Sequence, residues 1–201
     1  MNFARIISGL AHPMLMPLIS VFVIFHSGTY LDYTPHVLIR VIYLIVAIST
    51  ILLPISILPL LKNQNMISDM GLEKRNERLI PLLITTLFYG LGYYMLLKFP
   101  ITRVVANLQL AAIISILLIS LISLKWKISL HMAGIGGFIG MLIGFSFLYS
   151  SSLKFVFMIG ILVAGLIAYA RLKLNLHTPS QVYAGFILGL ITVASCLLLM
   201  Q

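Results

Sequence analysis

The chain has 201 residues, 61% of them hydrophobic and 8% charged, with a mean hydropathy of +1.14. Soluble domains carry roughly a quarter charged residues, so a soluble fold is excluded. The net charge of +9 comes from 13 Lys and Arg against 4 Asp and Glu, and most of the cations lie in short loops. That placement argues against nucleic acid and for membrane lipid head groups or a phosphorylated lipid as partners.

Apolar runs of about twenty residues recur from end to end and leave no room for a soluble domain. They lack the alternation of barrel strands. The expected fold is therefore all-α, a polytopic transmembrane helical bundle of six to seven spans forming one integral membrane domain over 1–201. The single Cys196 excludes an internal disulfide. Arg5 and the apolar run behind it, with no small-residue cleavage signal, read as a retained span rather than a signal peptide.

The first apolar segment, about Ile6 to Phe25, is interrupted by His12-Pro13 and by Pro17, which kink it or reduce it to a re-entrant piece. A polar turn from Ser27 to His36 follows, then a second span over about Val37–Leu61. Lys62 to Arg78 is the longest polar stretch and holds three of the four acidic residues. Arg75 and Arg78 lie three apart, on one face of a helix, and Pro81 suits the first turn of the third span. That span ends near Leu97, a tight turn holds Lys98, Pro100 and Arg103, and the fourth span covers about Val104–Leu124.

Lys125-Trp126-Lys127-Ile128-Ser129-Leu130-His131 is a short interfacial stretch, with Trp126 suited to the head-group layer. The fifth span, to about Leu148, carries Gly136, Gly140 and Gly144 at every fourth residue, a small-residue face for close helix approach. The sixth span covers about Leu153–Tyr169 and the seventh about Val182–Met200. Between them lies a polar island, Arg171 to Gln181. Its Thr178-Pro179-Ser180-Gln181 reads as a helix start, with Thr as N-cap and Gln as the capping-box residue.

Two spans separate the Lys62–Arg78 loop from the Lys125–His131 turn, and two more separate that turn from the island. All three stretches are therefore expected on one side of the membrane. Lys and Arg are denser there, which the positive-inside rule associates with the cytoplasm.

These loops gather Arg75, Arg78, Lys127, Ser129, His131, Arg171 and His177. Ionisable groups at a membrane are costly and tend to be functional. Arginine forks hold phosphate bidentately, and two imidazoles could divide phosphoryl transfer, one attacking phosphorus and one protonating the leaving oxygen. Helix N-termini beside His177 and at Ser129 would favour an anion. Lys62, Lys74, Lys125 and Lys173 read as orientation signals and lipid anchors. His12, His26 and His36 read as ordinary histidines at span ends.

The pattern Arg171-x5-His177-x3-Gln181, preceded by Ser129-x-His131 and by an Arg-rich segment ending in Pro81, resembles the type-2 phosphatidic acid phosphatase family. That family's signatures are K-x6-R-P, P-S-G-H and S-R-x5-H-x3-D, and the likeness runs from about Arg75 to Gly189 within a family-like core over about 62–200. It implies a metal-independent lipid phosphatase of a bacterial inner membrane, needing no cofactor and working through a phosphohistidine on an isoprenyl diphosphate or a phosphatidate. By that likeness His177 is the nucleophile, His131 the general acid and Gln181 the partner of His177. Arg171 and Ser129 would bind phosphate, with Arg75 and Arg78 as displaced substitutes for the first signature's cations, and the site would lie outside the cytoplasm. Lys127, in the same group of loops, is a further candidate phosphate ligand.

The chain departs from the signatures at Glu73 and Ile80, at Ile128 and Leu130, at Ala170, and at Gln181 in place of Asp. A neutral carbonyl orients the nucleophilic imidazole but stabilises its cation less. The alternative expectation is a weak or inactive relative that binds or transports phospholipids. A third places a haem between His131 and His177.

Overall fold

The computed structural model describes residues 3–72, 74–99 and 103–199. Glu73, Pro100 and Met200 lie outside them. Among the described residues the chain is helical, and six helices are long and apolar enough to cross a membrane: His36–Asn63, Arg75–Leu96, Arg103–Ser123, Leu130–Tyr149, Lys154–Lys173 and Pro179–Leu199. At 1.5 Å per residue, about twenty residues match a hydrocarbon core of about 30 Å. Large apolar side chains such as Val37, Leu87, Phe147, Phe155 and Leu162 are exposed on the outside of the bundle, where a soluble protein would carry charge. The chain is an integral membrane protein.

The first apolar segment divides where its sequence suggests. Helix α1 (Phe3–Leu10) ends before His12, a 3-10 turn occupies Pro13–Leu15, and α2 spans Met16–Ile24. Pro13 forces the residue before it out of helical backbone, and His12 is extended at φ −63° and ψ 135°. Helix α2 is shorter than the six long helices, yet the segment runs the length of the bundle. His131 donates from Nε2 to the Ser8 carbonyl at 3.1 Å at one end. At the other, Ser151 Oγ donates to the Ser27 carbonyl at 2.7 Å.

The second span comprises α3 (His36–Ala47) and α4 (Leu53–Asn63), joined by one π turn at Ile48–Leu52. Pro54 has no N–H to offer the Thr50 carbonyl four residues back. The ladder widens there, and Leu53 N–H reaches the Ile48 carbonyl instead. Helices α5 (Leu79–Leu96), α6 (Arg103–Ser123), α7 (Leu130–Tyr149), α8 (Lys154–Lys173) and α9 (Pro179–Leu199) complete the bundle.

Helix α7 is the centre, the most buried of the six long helices. Its main partner is α9, which runs parallel to it. A Cβ at Gly136 or Gly140 would collide with the Phe186 or Leu190 carbonyl, and one at Gly144 would press on Leu197. The expected glycine face of α7 is thus a helix contact. Its counterpart on α9 was not read from the sequence. A Cβ at Gly189 would strike the Ala133 carbonyl, and one at Gly185 would come within 2.5 Å of the Ser129 carbonyl. Glycine on both sides lets the two backbones touch, as lipid-embedded helices without a hydrophobic driving force require. The starts of α7 and α9, where His131 and His177 lie, are held side by side.

The three polar stretches meet at one end of the bundle, as the span count requires. Arg75 donates from Nη1 to the Lys125 carbonyl at 2.6 Å, and Arg78 from Nη1 to the Ile128 carbonyl at 2.9 Å. Ser129 N–H donates to the Gln181 carbonyl at 3.3 Å.

Candidate functional site

A cavity of about 150 Å³ opens at this end of the bundle, with His12, Arg78, His131, Arg171 and His177 among its lining residues. It continues between the helices along an apolar wall that includes Leu82, Ile116, Ile119, Leu108, Phe138 and Val193. From Ile119 to Leu108 is three turns of α6, about 16 Å at 1.5 Å per residue. The cavity is amphiphilic, with cations and imidazoles at the membrane surface and hydrocarbon below. Met70, Gly71 and Leu72 of the Lys62–Arg78 loop border it on one side and His12 with Pro13 on another. That loop is folded, with Leu61, Ile67 and Leu72 packed together and Ser68 donating from N and Oγ to Glu77 Oε2 at 2.7 and 2.9 Å.

His177 sits one residue before the turn that starts α9. Its Nδ1 lies 3.1 Å from Gln181 Oε1, and the same oxygen accepts the Thr178 N–H at 3.2 Å. A backbone N–H can only donate, so the side-chain atom facing it is the amide oxygen. His177 must then donate from Nδ1, which leaves the Nε2 lone pair unprotonated. Gln181 therefore performs both tasks read from the sequence, as capping-box acceptor and as orienter of the ring. The Thr178 hydroxyl lies 3.0 Å from Ser180 Oγ.

His177 is buried, at 8% exposure. Burial pushes its pKa down to about 4, against the Gln181 hydrogen bond, and the positive charges of Arg171, Arg78 and Lys127 push the same way as burial. At neutral pH the ring is an uncharged base.

Arg171 is buried at 7% exposure in the last turn of α8 and donates from Nη1 to Ser8 Oγ at 2.6 Å. His131 occupies the first turn of α7, and its bond to the Ser8 carbonyl fixes its proton on Nε2. Ser8 thus holds both the guanidinium and the imidazole. Its sequence separation from them, 163 and 123 residues, left no signal for a reading of the chain. His12 lines the same cavity, its ring edge-on to that of His131 with centroids 5.5 Å apart.

The remaining candidates fall elsewhere. Ser129 is fully buried and caps α7, accepting the Met132 N–H at 3.5 Å, and it does not line the cavity. Arg78 lines it, but Nε donates to the Leu72 carbonyl at 2.7 Å and Nη1 to Ile128, tying the loop to the start of α7. Arg75 clasps the Lys125 carbonyl away from the cavity lining. Lys127 is also outside the lining, though near enough to bear on His177. Among the described residues no group of three or more His, Cys, Asp or Glu is placed to hold a metal ion.

The class these features define is an integral membrane helical bundle with an amphiphilic, cation-lined cavity at one end. No family model, curated protein or solved structure matches the chain.

Proposed function

We propose that the protein is a lipid phosphatase of a bacterial inner membrane, hydrolysing a phosphate monoester or diphosphate of a lipid through a phosphohistidine at His177. The observation that carries this reading is one cavity in which an unprotonated imidazole nitrogen, a buried guanidinium and a second imidazole stand above an apolar chamber. Lipid phosphates share that division between a dianionic head and a hydrocarbon tail. Arg171 would hold the phosphate oxygens, exchanging the Ser8 hydroxyl for a charged partner.

In the first step His177 Nε2 attacks the terminal phosphorus and its bond to the bridging oxygen breaks, an ester bond in a monoester and an anhydride bond in a diphosphate. The departing oxygen takes a proton from His131, which would become imidazolium only beside the bound phosphate anion, its neutral form donating Nε2–H to Ser8. In the second step water attacks the phosphohistidine, His131 accepts its proton, and the P–N bond breaks to release inorganic phosphate. Throughout, His177 Nδ1–H remains on Gln181 Oε1. Phosphate release from a lipid phosphate by purified protein tests the reading, and its loss in His177→Ala with folding intact supports the nucleophile.

One observation favours a second reading, in which the protein binds or carries phosphorylated lipids without hydrolysing them. The group facing His177 is a neutral amide, which would stabilise the imidazolium of the intermediate less than a carboxylate. Binding of a lipid phosphate without any turnover, in the parent and in Gln181→Asp alike, would select it.

A further inference from the structure

The connection between α1 and α2 brings to the cavity a residue that the signatures do not contain. His12 follows the end of α1 and is held extended by Pro13. Its Nδ1 accepts the Met14 N–H at 3.4 Å, capping the 3-10 turn. Because that partner can only donate, Nδ1 carries the lone pair and the neutral ring has its proton on Nε2. The ring is kept neutral by burial and by the Arg171 charge, both of which lower its pKa. No hydrogen bond to Nε2 is found among the described residues, while His12 lines the cavity beside His131 and Arg171.

The three imidazoles therefore differ in what they present. His177 offers a lone pair at Nε2, and His131 has committed its Nε2–H to Ser8. His12 has a ring N–H that no acceptor among the described residues takes up. A donor of this kind suits an anionic oxygen, and an anion held by Arg171 would bring one.

We propose that His12 is a phosphate-contacting residue, its Nε2–H donating to an oxygen of a phosphate group bound at Arg171, so that the connection between α1 and α2 forms one wall of the site. The inference rests on the phosphate-binding reading of the cavity and adds a contact to it. The shared chemistry is a phosphate monoanion or dianion, whether carried on a lipid or free.

Two substitutions separate the capping role from the ligand role. Asparagine is a favoured N-cap and its oxygen takes the place of Nδ1, but it lacks the distal donor. Glutamine extends an N–H toward the position of Nε2 and gives up the cap. Thermal-shift titrations of the purified full chain in detergent would use dodecyl phosphate and, separately, inorganic phosphate. His12→Asn is expected to keep the unliganded Tm and to weaken both ligands about tenfold or more, the loss of a hydrogen bond to a charged group. His12→Gln is expected to bind within a few-fold of the parent protein with a lower unliganded Tm.

Equal affinity for both ligands in the parent and in His12→Asn would overturn the inference while leaving the phosphate site standing. A loss confined to dodecyl phosphate would also overturn it, by moving the contact to the chain. Should neither ligand stabilise the parent protein, the phosphate reading of the cavity falls and the role of His12 with it.

Discussion

Replacing Gln181 by glutamate is nearly isosteric and tests how the site treats charge. In the parent protein a neutral oxygen takes hydrogen bonds from His177 Nδ1 and from the Thr178 N–H. A carboxylate keeps both, at the start of a helix whose dipole favours negative charge. Hydrogen bonds contribute roughly 0.5–1.5 kcal/mol between neutral groups and about 1.5–3 kcal/mol when one is charged. The difference, about 1–1.5 kcal/mol, is exerted most strongly when attack on phosphorus leaves a positive imidazole. The chemical step should therefore accelerate about tenfold.

Single-turnover release of the lipid alcohol, with protein in excess over a lipid phosphate monoester in detergent micelles, isolates that step. The same substitution should move the acid limb of kcat/KM upward from the position set by the His177 pKa of about 4, because a carboxylate favours the protonated ring. Unliganded Tm should be unchanged or higher. An unaltered rate with an unmoved acid limb would refute the assignment of Gln181 as the electrostatic partner of the nucleophile.

Further expectations follow from other parts of the bundle. The folded pKa of His177, about 4, lies below its ordinary 6.5, so its contribution to stability is fully present above pH 6.5 and is lost as pH falls toward 4. Tm measured across that window should fall on acidification, with a shallower slope in His177→Gln. Gly189→Ala, which sets a Cβ against the Ala133 carbonyl, should lower Tm and activity together, whereas Gly165→Ala, where the Cβ meets nothing within 4 Å, should change neither. Arg78→Met keeps the aliphatic packing but leaves the Leu72 and Ile128 carbonyls without the guanidinium. It should cost about 2 kcal/mol or more and several degrees of Tm, and Arg78→Lys should not restore it, since one ammonium lacks the fork that reaches both carbonyls.

The bundle was largely legible because hydropathy reports directly on lipid. The six long helices lie close to their expected bounds, and the break at His12-Pro13 follows from proline alone. The gathering of three loops at one end came from counting spans. Local patterns also served well at the start of α9, where Gln181 meets the Thr178 N–H as a capping box requires.

Pairings between distant residues were not legible. The sequence gives Arg75 and Arg78 equal standing, yet Arg78 is buried at the cavity and Arg75 fastens a surface carbonyl. Ser129 matches a signature serine, and its burial commits it to capping α7. Ser8 carries no motif, yet it holds both Arg171 and His131. His12 reads along the chain as an ordinary histidine at a span end, because its neighbourhood is formed by helices more than a hundred residues away.

The central claim is that His177 Nε2 takes a phosphoryl group from a lipid. The measurement closest to it is labelling of the purified protein by a lipid phosphate radiolabelled in its phosphate, quenched in alkaline detergent and identified by stability to alkali and loss in acid, run beside release of inorganic phosphate. The account predicts a transient phosphoprotein in the parent and none in His177→Asn, with phosphate release abolished in the same variant and its Tm retained. Phosphate release by His177→Asn at the parent rate would contradict it.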